Sequence, residues 1–211
     1  MTRPPDAPSA ADRSALRAAL RQARRALSPA GHARHADRCT RLLTGLNAFR
    51  NARRIAVYLP ADGEMDTAPL VARARAMGKT LYLPVLLPHG DSRLWFARYD
   101  ADEPLVDNRF GIPEPARAAR TRVSPLALDL VLTPLVAFDP QGHRLGMGGG
   151  FYDRSFAYLL RHTRWLRPRL IGLAHDFQCR PHLPHRPWDV PLHAVVTEKA
   201  VYTCAQESRR G

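Results

Sequence analysis

Cysteine, lysine and long apolar runs are all scarce in this chain. Cys39, Cys179 and Cys204 are its only cysteines, odd in number and widely spaced, which excludes a disulfide framework and leaves free thiols. No apolar run approaches the roughly 18 residues that span a bilayer. Met1-Thr-Arg-Pro-Pro-Asp-Ala-Pro carries no apolar signal core. No membrane partner is therefore expected, and a cytoplasmic location is. Lys79 and Lys199 are the only lysines, although Lys and Arg together number 32 against 19 acidic residues, a formal net charge of +13. Nucleic acid, an anionic surface or a polyanionic small ligand would each suit such a charge. The arginines are spread along the chain and no RNP, zinc-finger or related signature accompanies them, so no nucleic-acid partner is expected.

Against these absences stands one dense segment, Arg144-Leu-Gly-Met-Gly-Gly-Gly-Phe-Tyr-Asp153-Arg154. Clustered glycines let backbone N–H groups approach an anion together. Arginine adds a bidentate fork for phosphate, and a carboxylate beside phosphates suits Mg²⁺. The pattern suggests a phosphate and metal site beside an aromatic wall; the plainer reading is a glycine-rich turn before a helix. Familiar nucleotide motifs do not fit. A Walker loop needs a lysine that this segment lacks, and Phe151 stands where a dinucleotide fingerprint needs its third glycine.

The length of 211 residues suits one domain. Residues 1–11 and 205–211 are expected to be disordered tails around a single domain at 12–204. Leu16, Leu20, Ala23 and Leu27 predict a helix over 13–27, with Asp12 as N-cap and Pro29 as a stop. Arg13, Arg17, Arg21, Arg24 and Arg25 crowd its polar surface. They form either a solvated face or a platform for an anion, since like charges at i,i+4 are mildly destabilising. A second helix is expected over 33–48, then a strand over 54–60, a helix from a Thr67 cap to Met77, and a strand over 80–85. Residues 86–127 read as a strand near 94–99 and a peripheral hairpin. Apolar runs at 128–133 and 170–174 suit buried parallel strands, with a helix at 151–162 between them and a last strand at 195–197. The fold class is α/β: a layered, open and mostly parallel sheet flanked by helices, with a peripheral hairpin and loop section. Glu64, the glycine segment, and Asp176 with Gln178 each follow a strand and are expected on one face, beyond the strands' carboxyl ends.

Other clusters carry less. Cys179, His182 and His185 lack a standard zinc spacing and a fourth ligand. His175-Asp176 lacks a nucleophile and reads as a strand end. Trp188 is expected in the core, and Asp189 is either a turn residue or a second metal oxygen.

Phe-Gly-Ile-Pro-Glu-Pro at 110–115, Pro-Leu-Val-Ala-Phe-Asp at 134–139, the glycine segment at 144–154, and Trp-Asp-Val-Pro-Leu at 188–192, ending in Val-Thr-Glu at 196–198, closely resemble the 5-formyltetrahydrofolate cyclo-ligase (5,10-methenyltetrahydrofolate synthetase) family. The match runs in order from residue 13 to 198. The resemblance implies an α/β ligase that uses Mg-ATP to convert 5-formyltetrahydrofolate, with or without a polyglutamate tail, into 5,10-methenyltetrahydrofolate, ADP and phosphate. ATP phosphorylates the formyl oxygen, and N10 then closes the ring. By the same resemblance Arg13 and Arg17 meet ATP phosphates, while Arg144, Leu145, Gly146, Met147, Gly148, Gly149, Gly150, Phe151 and Tyr152 wrap the nucleotide. Asp153 and Asp189 serve Mg²⁺; Leu59, Glu64 and Met147 to Phe151 contact the folate; Arg144, Tyr152 and Asp153 carry the catalytic roles. Two residues depart from the pattern. Arg13 stands where many relatives have lysine, and Phe151 where many have tyrosine. A monomer is expected. The alternative is a non-catalytic folate- or nucleotide-binding protein on the same fold.

Overall fold

The computed structural model describes residues 10–86, 92–108, 111–161 and 167–204. The expected tails lie outside these residues except for Ala10 and Ala11, which already belong to helix α1 (Ala10–Arg25). Two alanines are strong helix formers, so the helix starts ahead of Asp12, which sits in its first turn and opposes the helix dipole there. Pro29 opens the second helix, α2 (Pro29–Gly45), instead of stopping the first. Its fixed φ suits a first turn whose N–H groups need no intrahelical partner, and the Ser28 side chain accepts a 3.1 Å bond from the Gly31 N–H. Extended backbone at Leu46 then separates α2 from a short α3 (Asn47–Asn51), where one helix was expected. Ser28→Ala should lower stability by about 1 kcal/mol; an unchanged urea midpoint would show that the cap contributes nothing.

Strand β1 (Arg54–Ala56), helix α4 (Ala68–Ala76) and strand β2 (Thr80–Leu86) form the expected parallel crossover. Asp66, not Thr67, caps α4: its carboxylate accepts from the Ala68 N–H at 2.9 Å, while the buried Thr67 hydroxyl donates to the Tyr58 carbonyl at 2.8 Å. Strand β3 (Leu94–Arg98) runs antiparallel to β2. The peripheral hairpin pairs β4 (Leu105–Asp107) with β5 (Pro113–Pro115), followed by α5 (Ala118–Thr121) and a 3-10 turn at Pro125–Ala127. Strand β6 (Leu130–Pro134) leads into a ribbon of β7 (Ala137–Phe138) and β8 (Arg144–Leu145), two-residue strands too short to leave a periodicity in the sequence. The single helix expected over 151–162 is two, α6 (Phe151–Phe156) and α7 (Tyr158–Arg161); residue 162 lies outside the described residues. Strands β9 (Arg169–Leu173), β10 (Ala194–Val196) and β11 (Val201–Thr203) complete the chain.

Among the described residues the main sheet has the order β11-β10-β9-β6-β1-β2-β3. Its five central strands are parallel and each edge strand is antiparallel. Alternation sends neighbouring residues to opposite faces. Ile55, Leu130 and Leu132 pack with Leu43, Phe49 and Leu70 from α2, α3 and α4. Ala56 and Val131 pack on the other face with Phe138 and Phe156. A third apolar cluster joins Leu16 and Leu20 of α1 to Ala137, Leu145 and Leu183, so α1 lies across the small ribbon. The chain moves outward from β1 through β2 to β3 and then returns to β6 on the other side of β1. This reversal makes the carboxyl ends of β1 and β6 the topological switch point, where open α/β sheets bind ligands.

Candidate active site

Beyond β1 the chain turns through Asp62, which has a left-handed φ of 52° that aspartate tolerates. Three arginines of α1 grip this turn: Asp62 accepts from Arg21 at 2.5 Å, from Arg24 at 3.1 Å and from Arg25. Burial pushes the Asp62 carboxyl up, but the Arg25 and Arg21 bonds outweigh it and hold the group down at about 2. Arg24 does not belong to the polar surface, as periodicity implied; it is fully buried. Its charge is offset by Asp62, by the Leu135 carbonyl at 3.4 Å and by Glu64, whose Oε1 is 3.9 Å away. Glu64 Oε2 accepts from the Ala61 N–H at 3.2 Å. Burial raises the Glu64 pKa, and the Ala61 N–H and the Arg24 charge oppose that rise.

Glu64 forms one wall of a cavity of about 840 Å³. Arg13 and Arg17 line it from α1, Pro134 and Leu135 from the end of β6, and Met147 to Arg154 from the glycine segment. Arg17 Nε donates to the Gly146 carbonyl at 2.8 Å. Burial first, and then the neighbouring Arg13 charge, lower its pKa. Arg13 Nε is buried and has no hydrogen-bond partner among the described residues. Two neighbouring guanidiniums, one with a buried Nε that lacks a partner among the described residues, fit an anionic ligand better than a solvated face. Gly148 and Gly150 have φ of 105° and 63°, and a Cβ on Gly150 would meet Arg154 Nη1 at 2.8 Å. Arg154 donates to the Gly149 and Ser92 carbonyls and lies 5.3 Å from the Phe151 ring, bracing the turn.

Arg144 and Asp153 tie this segment to the following loop. Asp153 Oδ1 accepts from Arg144 Nη2 at 2.6 Å and from the Val190 N–H at 3.1 Å, and Arg144 Nη1 donates to the Val190 carbonyl. Asp189 lines the same cavity, and its Oδ2 accepts from the Arg186 N–H at 2.9 Å. Each carboxylate thus commits one oxygen to the protein and leaves the other without a hydrogen bond among the described residues. Two oxygen donors in a cavity lined by arginines and glycines fit Mg²⁺, which keeps several of its waters and takes one or two carboxylates. Tyr152 is partly buried near Glu64 and Arg144; desolvation, then the Glu64 charge, push its pKa up, so its hydroxyl stays protonated.

Several expected residues lie elsewhere. Leu59 is half-buried against the core on the α2 face and does not line the cavity. Leu145 is buried with Leu20 and Leu183 under α1, so its side chain points away from the cavity. Asp176 is held by Tyr202 at 2.7 Å, Thr197 at 3.2 Å and Lys199 at 3.2 Å. Gln178 donates to the Leu135 and Val136 carbonyls. The pair closes the strand end and shapes the start of the ribbon without lining the cavity, because both side chains are spent on neighbouring chain. Trp188 is 59% exposed, not in the core; it lines the cavity rim with Arg186 5.3 Å from its ring. Ile112 and Glu114 of the hairpin also line the cavity and had no assigned role. Phe110, at the head of their motif, lies outside the described residues. His182 is exposed, and Cys179, His182 and His185 do not converge as a metal-ligand group.

Glycines, arginines and two carboxylates line a cleft at the switch point of a doubly covered sheet, the place where α/β enzymes bind their ligands. A family model described as the 5-formyltetrahydrofolate cyclo-ligase family matches residues 9–198. The chain is 41% identical over 183 residues to 5-formyltetrahydrofolate cyclo-ligase of Escherichia coli (strain K12), covering 87% of this chain and 98% of that one. It is 42% identical over 149 residues to the Haemophilus influenzae cyclo-ligase, covering 70% and 76% of the two chains. The solved structure of Aquifex aeolicus 5,10-methenyltetrahydrofolate synthetase superposes with a TM-score of 0.76 at 31% identity, over 94% of this chain and 96% of that one. That of the Mycoplasma pneumoniae synthetase gives 0.68 at 26% identity, over 89% and 99%. The chain belongs to the 5-formyltetrahydrofolate cyclo-ligase family and is a ligase.

Proposed function

We propose that this protein converts 5-formyltetrahydrofolate into 5,10-methenyltetrahydrofolate at the expense of Mg-ATP, releasing ADP and phosphate. The observation that carries the reading is the meeting of Glu64, the Arg13–Arg17 pair and the Asp153–Asp189 pair in one cavity, in a chain of this family. A formyl amide is a poor electrophile. Phosphorylating its oxygen creates a leaving group, after which N10 attacks the same carbon and phosphate departs. The protein's task is to hold two anionic substrates in line and neutralise charge. Glu64 accepts the adjacent N–H donors of the pterin through two oxygens, the geometry a carboxylate favours. Arg13 and Arg17 meet the phosphates, and the left-handed conformations of Gly148 and Gly150 suit a turn whose backbone N–H groups bind an anion. Arg144, held by Asp153 and Val190, supplies a fixed positive charge, and protonated Tyr152 supplies a hydrogen-bond donor beside it. Asp153 and Asp189 would hold Mg²⁺, whose charge when bound offsets that of the phosphates. The free cysteines suit a reducing, cytoplasmic setting.

Methenyl-folate absorbance, followed with purified protein, 5-formyltetrahydrofolate, ATP and Mg²⁺, tests the reading directly. Product forms only when both ATP and Mg²⁺ are present; equal turnover without ATP would overturn the mechanism, and binding without turnover would leave a folate-binding protein. Arg17→Ala should raise KM for ATP about tenfold, the effect of losing one charged hydrogen bond, with a smaller effect on folate and little change in melting temperature. Unaltered kinetics would return Arg17 to a role in bracing the Gly146 carbonyl.

A further inference from the structure

Three donor residues meet at a place that the reaction does not use. His35 comes from α2, His175 follows β9 and Glu198 follows β10. His35 Nδ1 lies 3.0 Å from His175 Nδ1 and 3.7 Å from Glu198 Oε2, and one donor atom from each residue lies within 4.8 Å of the other two. His175 is fully buried, Glu198 nearly so, and His35 is partly exposed.

The proton positions follow from the neighbours. His175 Nε2 is 3.2 Å from the Gly63 carbonyl, which can only accept, so that nitrogen carries the hydrogen. The Nδ1 lone pair of the neutral ring then faces His35 Nδ1. Burial, reinforced by the nearby His35, His32 and Arg24, holds the His175 pKa down at about 4 against the Gly63 bond, and the ring stays neutral near pH 7. A backbone carbonyl behind a histidine is the usual device that fixes the tautomer of a metal ligand. Glu198 is fixed as well, because its Oε2 accepts from the Asp176 N–H at 2.9 Å. Metal–ligand bonds of about 2.0–2.1 Å in a tetrahedron put ligand atoms about 3.3 Å apart, and the observed 3.0 and 3.7 Å separations straddle that value.

We propose that His35, His175 and Glu198 form a site for a divalent transition metal of the Zn²⁺ class, with a fourth position open to solvent beside His35. Two imidazoles and one carboxylate favour zinc over magnesium, so the site is chemically distinct from Asp153 and Asp189. The ion takes the place of the hydrogen that His35 Nδ1 otherwise donates to His175 Nδ1; that hydrogen moves to His35 Nε2, so the neutral ring binds through its Nδ1 lone pair. It clamps α2 to the carboxyl end of the sheet and, through the Gly63 carbonyl, borders the turn that carries Asp62 and Glu64.

The test is titration of chelator-treated, full-length protein with zinc chloride in a calorimeter, with no folate or nucleotide present. One equivalent should bind with a Kd near or below about 1 μM, and His35→Ala and Glu198→Gln should each weaken it ten- to a hundredfold. His35→Gln serves as a second, milder variant, and circular dichroism checks that each remains folded. A His182→Ala/His185→Ala variant, which removes surface histidines, should leave the tight equivalent intact. Substituted Co²⁺ should give the visible absorption of a tetrahedral site in the parent protein and lose it in His35→Ala. The proposal is overturned if no tight equivalent binds, if folded His35→Ala and His35→Gln bind as the parent does, or if binding disappears with His182 and His185 instead.

Discussion

Asp153→Asn lowers turnover by about two to three orders of magnitude, the scale of a lost metal-ion contribution of several kcal/mol, while the protein stays folded. Asp153 has two tasks. Its Oδ1 joins the glycine segment to the 186–190 loop by accepting from Arg144 and from the Val190 N–H. Its charge serves Mg²⁺ in the proposed reaction. An asparagine oxygen in the same place still accepts those two bonds, so the loop tie largely survives and the melting temperature moves little. The lost charge weakens the metal site, since a neutral amide is a poorer Mg²⁺ ligand than a carboxylate. Initial rates across a Mg²⁺ titration, with a thermal melt alongside, separate the two tasks. If rate and Mg²⁺ dependence both match the parent, Asp153 is a structural tie only.

Glu64→Gln weakens folate binding ten- to a hundredfold, the cost of losing the charged partner of buried hydrogen bonds, about 1.5–3 kcal/mol, and leaves ATP binding nearly intact. The neighbours make this a clean comparison: the side chain keeps its length, one amide atom remains near Ala61 N, and Asp62 still holds Arg24 in its buried position. Equilibrium binding of each ligand alone gives the answer. Loss of ATP affinity with folate affinity retained would mean that the two ends of the cavity are assigned the wrong way round.

The parallel sheet was legible because β6, β9 and β10 are buried on both faces and leave continuous apolar runs in the sequence. The glycine segment was legible because its residue types are rarely needed together outside an anion site. What escaped depended on contacts between distant positions. Arg24 looks like one more arginine on a helix's polar face, and only the arrival of Asp62 and the Leu135 carbonyl explains its burial. Pro29 is ambiguous in the sequence because a proline can stop one helix or open the next; Ser28 ahead of it is the signal for the second role, and α1 already ends at Arg25. Trp188 was expected in the core on its hydrophobicity alone, yet an aromatic at a ligand cavity can remain exposed. The meeting of His35, His175 and Glu198 has no sequence signature, because 140 residues separate the two histidines.

The way α1 is moored makes it a ruler. One end carries Arg13 and Arg17 to the glycine segment, and the other is pinned to Asp62 by Arg21, Arg24 and Arg25. From Arg13 to Arg24 the helix rises by about 16 Å at 1.5 Å per residue, which fixes the spacing between the cavity wall at Arg13 and Arg17 and the turn held at Asp62. A single residue inserted between Arg17 and Arg21 would lengthen that spacing by only about 1.5 Å but swing Arg13 and Arg17 round by about 100°. Sequence change within this helix is therefore constrained by phase more than by length, and substitutions there are far easier to accommodate than insertions or deletions.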